Sequence, residues 1–192
     1  MRKLLLFPLL LVSLLFPFAS TAASIVVNPG FENGKTNWSV TGLNTVSHSA
    51  FYDGTHSLWA GLSATASQTV TTVPGQSYDL SFWLANYSPL TPTSLQVFWG
   101  SELVLTLLNE PLYNYTLPSQ WHNYTVPSLE ATAGSMDLRF AFNSPQGLFL
   151  DAVSLEVRDS PVPEPASAIL IGAALVPLFW LHRSRLSGIR SR

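Results

Sequence analysis

The sequence contains no cysteine. No disulfide can staple it, so cohesion must come from a packed core, with or without a metal. Charge is also scarce: Asp, Glu, Lys and Arg make up 10% of the 192 residues. Between Ser24 and Ser160 the basic residues are Lys35, Arg139 and Arg158. The acids there are Glu32, Asp53, Asp79, Glu102, Glu110, Glu130, Asp137, Asp151, Glu156 and Asp159, and three minus ten gives −7. A nucleic-acid backbone requires Lys and Arg, so nucleic acid is excluded as a natural partner. Helical periodicity is nearly absent from the same stretch. Two catalytic signatures are missing as well. His48, His56 and His122 lack metalloprotease spacing, and no Gly-x-Ser-x-Gly elbow occurs. The expectation is a protein that is not an enzyme; paired carboxylates of the glycosidase kind leave no spacing that would exclude them.

Long apolar runs stand only at the two ends. Met1-Arg2-Lys3 precedes an apolar run from Leu4 to Ala19, followed by Ser20-Thr21-Ala22-Ala23. This order of basic, apolar and small residues predicts a signal helix over residues 1–23, cleaved after Ala22 or Ala23, the alternative being an uncleaved anchor. At the other end, Ser160-Pro161-Val162-Pro163-Glu164-Pro165 opens a Pro-rich spacer. Its prolines fix φ and keep it extended. An apolar run from Ala166 to Leu181 follows, then Arg183, Arg185, Arg190 and Arg192. As a helix, that run reaches roughly 24 Å, a little short of a ~30 Å hydrocarbon core. Snorkelling arginines make up the difference. The result is a C-terminal transmembrane helix with its arginines on the cytoplasmic side. The chain thus divides into residues 1–23, an exported domain over 24–159, and a tail over 160–192.

Spacer, helix and arginines in this order resemble the PEP-CTERM sorting signal of Gram-negative bacteria, over residues 161–192. The resemblance implies Pro163, Glu164 and Pro165 as the sorting motif. It implies exosortase as a partner, an inner-membrane-anchored precursor, and delivery to the cell surface or extracellular matrix. A tail anchor on a Pro-rich stalk is the alternative.

The middle of the chain is rich in Thr, Ser, Val and aromatics, with turn residues at short intervals, and reads as all-β. Tyr78, Leu80, Phe82 and Leu84 alternate with Asp79, Ser81, Trp83 and Ala85. Leu95, Val97 and Trp99 alternate with Gln96 and Phe98. Met136, Leu138, Phe140 and Phe142 oppose Asp137, Arg139, Ala141 and Asn143. About eight such strands predict two packed antiparallel sheets. The order of motifs is informative: Asn28-Pro29-Gly30-Phe31-Glu32-Asn33-Gly34 with Trp38, Asp53-Gly54-Thr55-His56-Ser57, Pro74-Gly75-Gln76-Ser77-Tyr78, Leu80-Ser81-Phe82-Trp83, Trp121, and Phe149-Leu150-Asp151-Ala152-Val153. It resembles the galactose-binding-like jelly rolls used as carbohydrate-binding modules, across residues 25–157. Another sandwich, such as an immunoglobulin-like one, is the alternative.

Two sets of candidate site residues emerge. Asp151 shares strand parity with Phe149, Val153 and Leu155, and Glu32 follows Phe31 at the end of the first strand. A carboxylate on a core face is costly unless paired or metal-bound. The jelly-roll resemblance implies a structural calcium (Ca2+) held by Glu32 and Asp151, with backbone carbonyls from the Asp53–Ser57 loop. The alternative is a pair of ordinary hydrogen-bonded carboxylates. Trp83, Gln96 and Arg139 fall on polar parities, and Trp121, with Tyr113 and Tyr115, lies in or near a long loop. Aromatic rings with polar neighbours suit a sugar ring, so Trp83, Arg139, Gln96 and Trp121 are candidate ligand residues, although such aromatics also fill cores. The resulting expectation is a non-catalytic module binding exopolysaccharide. The alternatives are a structural matrix component without a ligand and a glycan hydrolase.

Overall fold

The structure is a computed structural model that describes residues 23–86, 92–111 and 120–158. The signal helix, the transmembrane helix, the sorting motif Pro163-Glu164-Pro165, and Tyr113 and Tyr115 lie outside the described residues. Among the described residues no helix is long and apolar enough to cross a membrane.

Among the described residues ten strands form: β1 (Ser39–Thr41), β2 (Asn44–Ser47), β3 (Ser57–Ala60), β4 (Ala64–Thr71), β5 (Ser77–Asn86), β6 (Ser94–Trp99), β7 (Glu102–Leu108), β8 (His122–Glu130), β9 (Ser135–Asn143) and β10 (Leu148–Val157). They make two five-stranded sheets, ordered β1-β4-β9-β6-β7 and β2-β3-β10-β5-β8, and every pairing is antiparallel. From β3 onward the chain changes sheet at almost every connection, giving the all-β jelly-roll sandwich expected from the sequence. Alternation does the folding work: on β5, β6 and β9 every second side chain is buried between the sheets. Tyr78, Leu80, Phe82 and Leu84 meet Leu95, Val97, Leu138 and Phe140 there. Fully burying such a side chain contributes about 1.5–3 kcal/mol, so this layer takes the place of the missing disulfides.

The segment before β1 is tied in by polar groups. Ile25 N–H donates to Leu155 O (2.9 Å), and the buried Gln68 amide pairs with both backbone groups of Val27 (2.8 and 2.9 Å). Asn28 then holds a tight turn. Its side-chain amide donates to Gly34 O and Thr36 O (both 3.0 Å), and its Oδ1 accepts Asn33 N–H (3.1 Å). The turn sets Phe31, fully buried against Trp38 with ring centroids 5.1 Å apart, in the left-handed region at φ 59°.

A second, smaller cluster lies outside the sandwich core. Ala50, Ala85, Trp121 and Phe149 pack together with Tyr52, Trp59 and Trp83. Phe149 is opposite both Ala85 and Trp59 across the β2-β3-β10-β5-β8 sheet, so this cluster covers that sheet's outer face. The β2–β3 loop supplies Ala50 and Tyr52 as its lid.

Candidate functional site

Two carboxylates meet where the first turn, the β2–β3 loop and β10 converge. Asp151 has no solvent exposure. Its Oδ2 accepts the N–H of Tyr52 (2.6 Å) and Asp53 (3.1 Å), and its Oδ1 accepts Ala152 N–H (2.6 Å). Glu32 takes four donors: Oε1 accepts Thr55 N–H (2.8 Å) and His56 N–H (2.9 Å), and Oε2 lies 2.7 Å from Thr55 Oγ1 and 2.9 Å from His56 Nδ1. A Cβ built on Gly30 would stand 3.1 Å from Asp151 Oδ1 and 3.7 Å from Glu32 Oε1, so both carboxylates flank one point. A Cβ on Gly54 would fall 2.2 Å from Glu32 Oε1, so only glycine lets the Glu32 carboxylate lie against this backbone.

The two groups ionise differently. Burial works against the charge on Glu32, but the donors from Thr55 and His56 together outweigh it and pull the group down to about 2. For Asp151 burial dominates and pushes it up to about 7; the N–H groups of Tyr52, Asp53 and Ala152 oppose this, and the nearby Glu32 charge adds to it. The ion pairs among the described residues are His56–Glu32 and Arg158–Asp79, so no basic side chain neutralises Asp151.

The structure thus brings Glu32 and Asp151 together but corrects how they get there. Asp151 does not share a face with Val153 and Leu155. The β10–β5 register shifts between Asp151 and Ser154, and Ala152 sits at φ 46°. This bulge reverses the alternation: Val153 and Leu155 point into the core, while Asp151 lies on the outer side with Phe149, beneath the loop. Glu32 is not on a core face either. The left-handed turn at Phe31 sends its side chain out over Gly54, where it is 41% exposed. The loop, moreover, turns N–H groups rather than carbonyls toward both carboxylates. Left-handed non-glycine residues, Asn28, Phe31 and Ala152, surround the spot; such backbone costs of order 1–3 kcal/mol each and concentrates at working sites.

A depression of about 520 Å³ opens beside the pair, bordered by Asn28, Pro29, Asn33, Asp53, Val153 and Ser154. Among the described residues no three His, Cys, Asp or Glu side chains converge into a metal cluster. An ion here would have the two carboxylates as its charged ligands and would have to draw its neutral oxygens from this depression, a mixed set of the kind calcium accepts.

The four candidate ligand residues do not form one site. Arg139 and Gln96 lie on the outer face of the β1-β4-β9-β6-β7 sheet, whereas Trp83 and Trp121 belong to the cluster on the opposite sheet. Trp83 does point away from the main core, as its parity predicts. One ring face, however, is stacked on Tyr52 at 3.7 Å and 11°. Trp121 is 4% exposed and packs against Tyr52 and Phe149, so it is a wedge under the loop rather than an exposed rim.

On the other face two registered rows cross all five strands. One runs Ser39, Ser67, Arg139, Phe98, Leu103; the other runs Thr41, Thr65, Ala141, Gln96, Thr106. At about 4.8 Å per strand the face is roughly 20 Å across. The Arg139 guanidinium lies 3.8 Å over the Phe98 ring, and it forms no ion pair among the described residues. Phe98 faces outward because it alternates with the buried Val97 and Trp99, a signal that the sequence carries but that does not by itself mark a ligand residue.

No protein-family model and no curated protein matches this chain. Solved structures do match. TmCBM61, solved in complex with β-1,4-galactotriose, superposes with a TM-score of 0.56 at 20% identity, covering 70% of this chain and 99% of that one. The CBM22-1 xylan-binding domain of Paenibacillus barcinonensis Xyn10C gives 0.51 at 16% identity over 74% and 99%. A Stig cyclase, Fisc from Fischerella sp. TAU, gives 0.56 at 14% identity over 73% and 100%. At these identities the likeness is one of fold alone, a jelly-roll sandwich that carbohydrate-binding modules and a cyclase share.

Proposed function

We propose that this is an exported, non-catalytic polysaccharide-binding protein of the cell surface or extracellular matrix. The observation that carries this reading is Arg139 laid over Phe98 at 3.8 Å, in the middle of two hydroxyl- and amide-bearing rows. A guanidinium held flat offers a rigid fork of donors to sugar hydroxyls or carboxylates. Ser67, Thr65, Gln96 and Thr106 extend that hydrogen-bonding field along a chain lying across the strands. TmCBM61 and the xylan-binding CBM22-1 support the reading as owners of the same fold, and the cyclase is a reminder that fold alone does not assign function.

Calcium between Glu32 and Asp151 is part of the proposal, as a structural ion. A cation there would offset the buried Asp151 charge and its repulsion with Glu32, and would tie the first turn to the last strand. Sorting by exosortase, with Pro163, Glu164 and Pro165 as the sorting motif, rests on the resemblance of residues 161–192.

Affinity electrophoresis of the full-length chain through gels carrying β-1,4-galactan, xylan or the host exopolysaccharide tests the reading. Retardation by at least one polymer, without release of reducing sugars, is expected. Free migration in every gel would leave a structural component, and released sugar would make the protein a hydrolase.

A further inference from the structure

The opposite sheet carries a second ring that is held in place beside a groove. Trp59, on β3, is half-buried and faces outward between Thr45 and Phe149. Its indole Nε1–H donates to Gln146 O at 2.9 Å. The ring edge passes so close to Gly147 that a Cβ there would lie 2.0 Å from Nε1, and Gly147 stands at φ 95°. On the other side Gly61 abuts the same indole: a Cβ there would lie 3.2 Å from Cη2. Two glycines and a hydrogen bond thus fix a large aromatic that the main core does not use. Beside it runs a shallow, open groove bordered by Thr45, Val46, Ser47, His48 and Phe149.

The groove's chemistry favours a sugar ring. An immobilised indole gives an apolar surface at little entropic cost, while two hydroxyls and an imidazole provide polar contacts along the rim. We infer that this Trp59 groove is a second saccharide site, and that the domain joins two polysaccharide chains. The two sites belong to opposite sheets of one sandwich, whose packed layers stand about 10 Å apart. A glycan lying straight along the Arg139 face does not meet the Trp59 groove on the opposite sheet, so each site takes its own stretch of chain. A two-sided binder gains avidity on a polymer and cross-links it. This inference rests on the polysaccharide-binding reading above.

The test titrates β-1,4-galactan and xylan oligosaccharides into the full-length chain by calorimetry and follows light scattering with the polymers. The wild type is expected to bind two oligosaccharides and to aggregate the polymer. Thr45→Arg, at an exposed position, should close the groove without touching the core. It and Trp59→Ala should halve the stoichiometry and abolish aggregation while leaving binding at the Arg139 face. Arg139→Ala should weaken one of the two sites about tenfold and leave binding at the groove unchanged. Wild-type stoichiometry and aggregation in Thr45→Arg would overturn the groove and leave the Arg139 site standing. Total loss of binding in Arg139→Ala would overturn it in the same way. No binding by the wild type would remove both.

Discussion

The carboxylates of Glu32 and Asp151 flank the same point beside Gly30, yet the protein drives their ionisation in opposite directions. For Glu32 the folded value of about 2 lies below the ordinary 4.5, so its contribution to stability is present above 4.5 and lost as pH falls toward 2. For Asp151 the folded value of about 7 lies above 3.8, so its contribution is complete below 3.8 and lost as pH rises through 7. In EDTA the melting temperature should therefore peak near pH 4–5 and decline toward pH 8. Calcium favours the charged carboxylate and should remove that decline, whereas magnesium, with its tighter shell, should do so less well. Asp151→Asn should abolish both the slope and the calcium effect. Identical curves in calcium and EDTA would leave the two groups as ordinary hydrogen-bonded carboxylates.

Trp83 is a packing residue of the outer cluster, stacked on Tyr52. Trp83→Ala should cost about 1–3 kcal/mol of stability, less than a full core truncation because the ring is only partly buried. Affinity at the Arg139 face should not change. Calorimetric melting and glycan titration of the same sample check this. An unaltered melt combined with lost glycan binding would move the saccharide site to Trp83.

The contrast between Trp83 and Asp151 indicates what sequence could reveal. The core faces of β5, β6 and β9 were legible because those stretches keep strict two-residue alternation, from Tyr78 to Leu84 and from Met136 to Phe142. Asp151 was misplaced because one extra residue at Ala152 inverts the alternation, and no composition signal marks a bulge without glycine. Glu32 was misplaced for a related reason: Phe31 takes a left-handed backbone that bulky residues rarely adopt. Parity assigned Trp83, Gln96 and Arg139 correctly to outward faces. Parity does not tell which sheet each strand joins, so candidates with the same outward parity lie on two opposite surfaces. Trp121 was misread because the β2–β3 loop, which brings Tyr52 against it, folds back over the sheet.

The tail leads to a separate prediction. If Pro163-Glu164-Pro165 is the exosortase motif, Glu164→Ala should leave an unprocessed precursor in the membrane fraction of an exosortase-positive host. Immunoblots of membrane and surface fractions would follow it. Equal maturation of wild type and variant would reduce the tail to a plain anchor.

The most direct measurement is the affinity of the full-length chain for β-1,4-galactan, xylan and the host exopolysaccharide, compared between the wild type and Arg139→Ala. Arg139 lies on the outer face against Phe98, so its loss should spare the fold and remove one charge-assisted donor group. The expected result is roughly tenfold weaker binding at that face, about 1.4 kcal/mol, with an unchanged melting temperature. Equal affinity in wild type and variant would contradict the assignment of the polysaccharide site to the Arg139–Phe98 face.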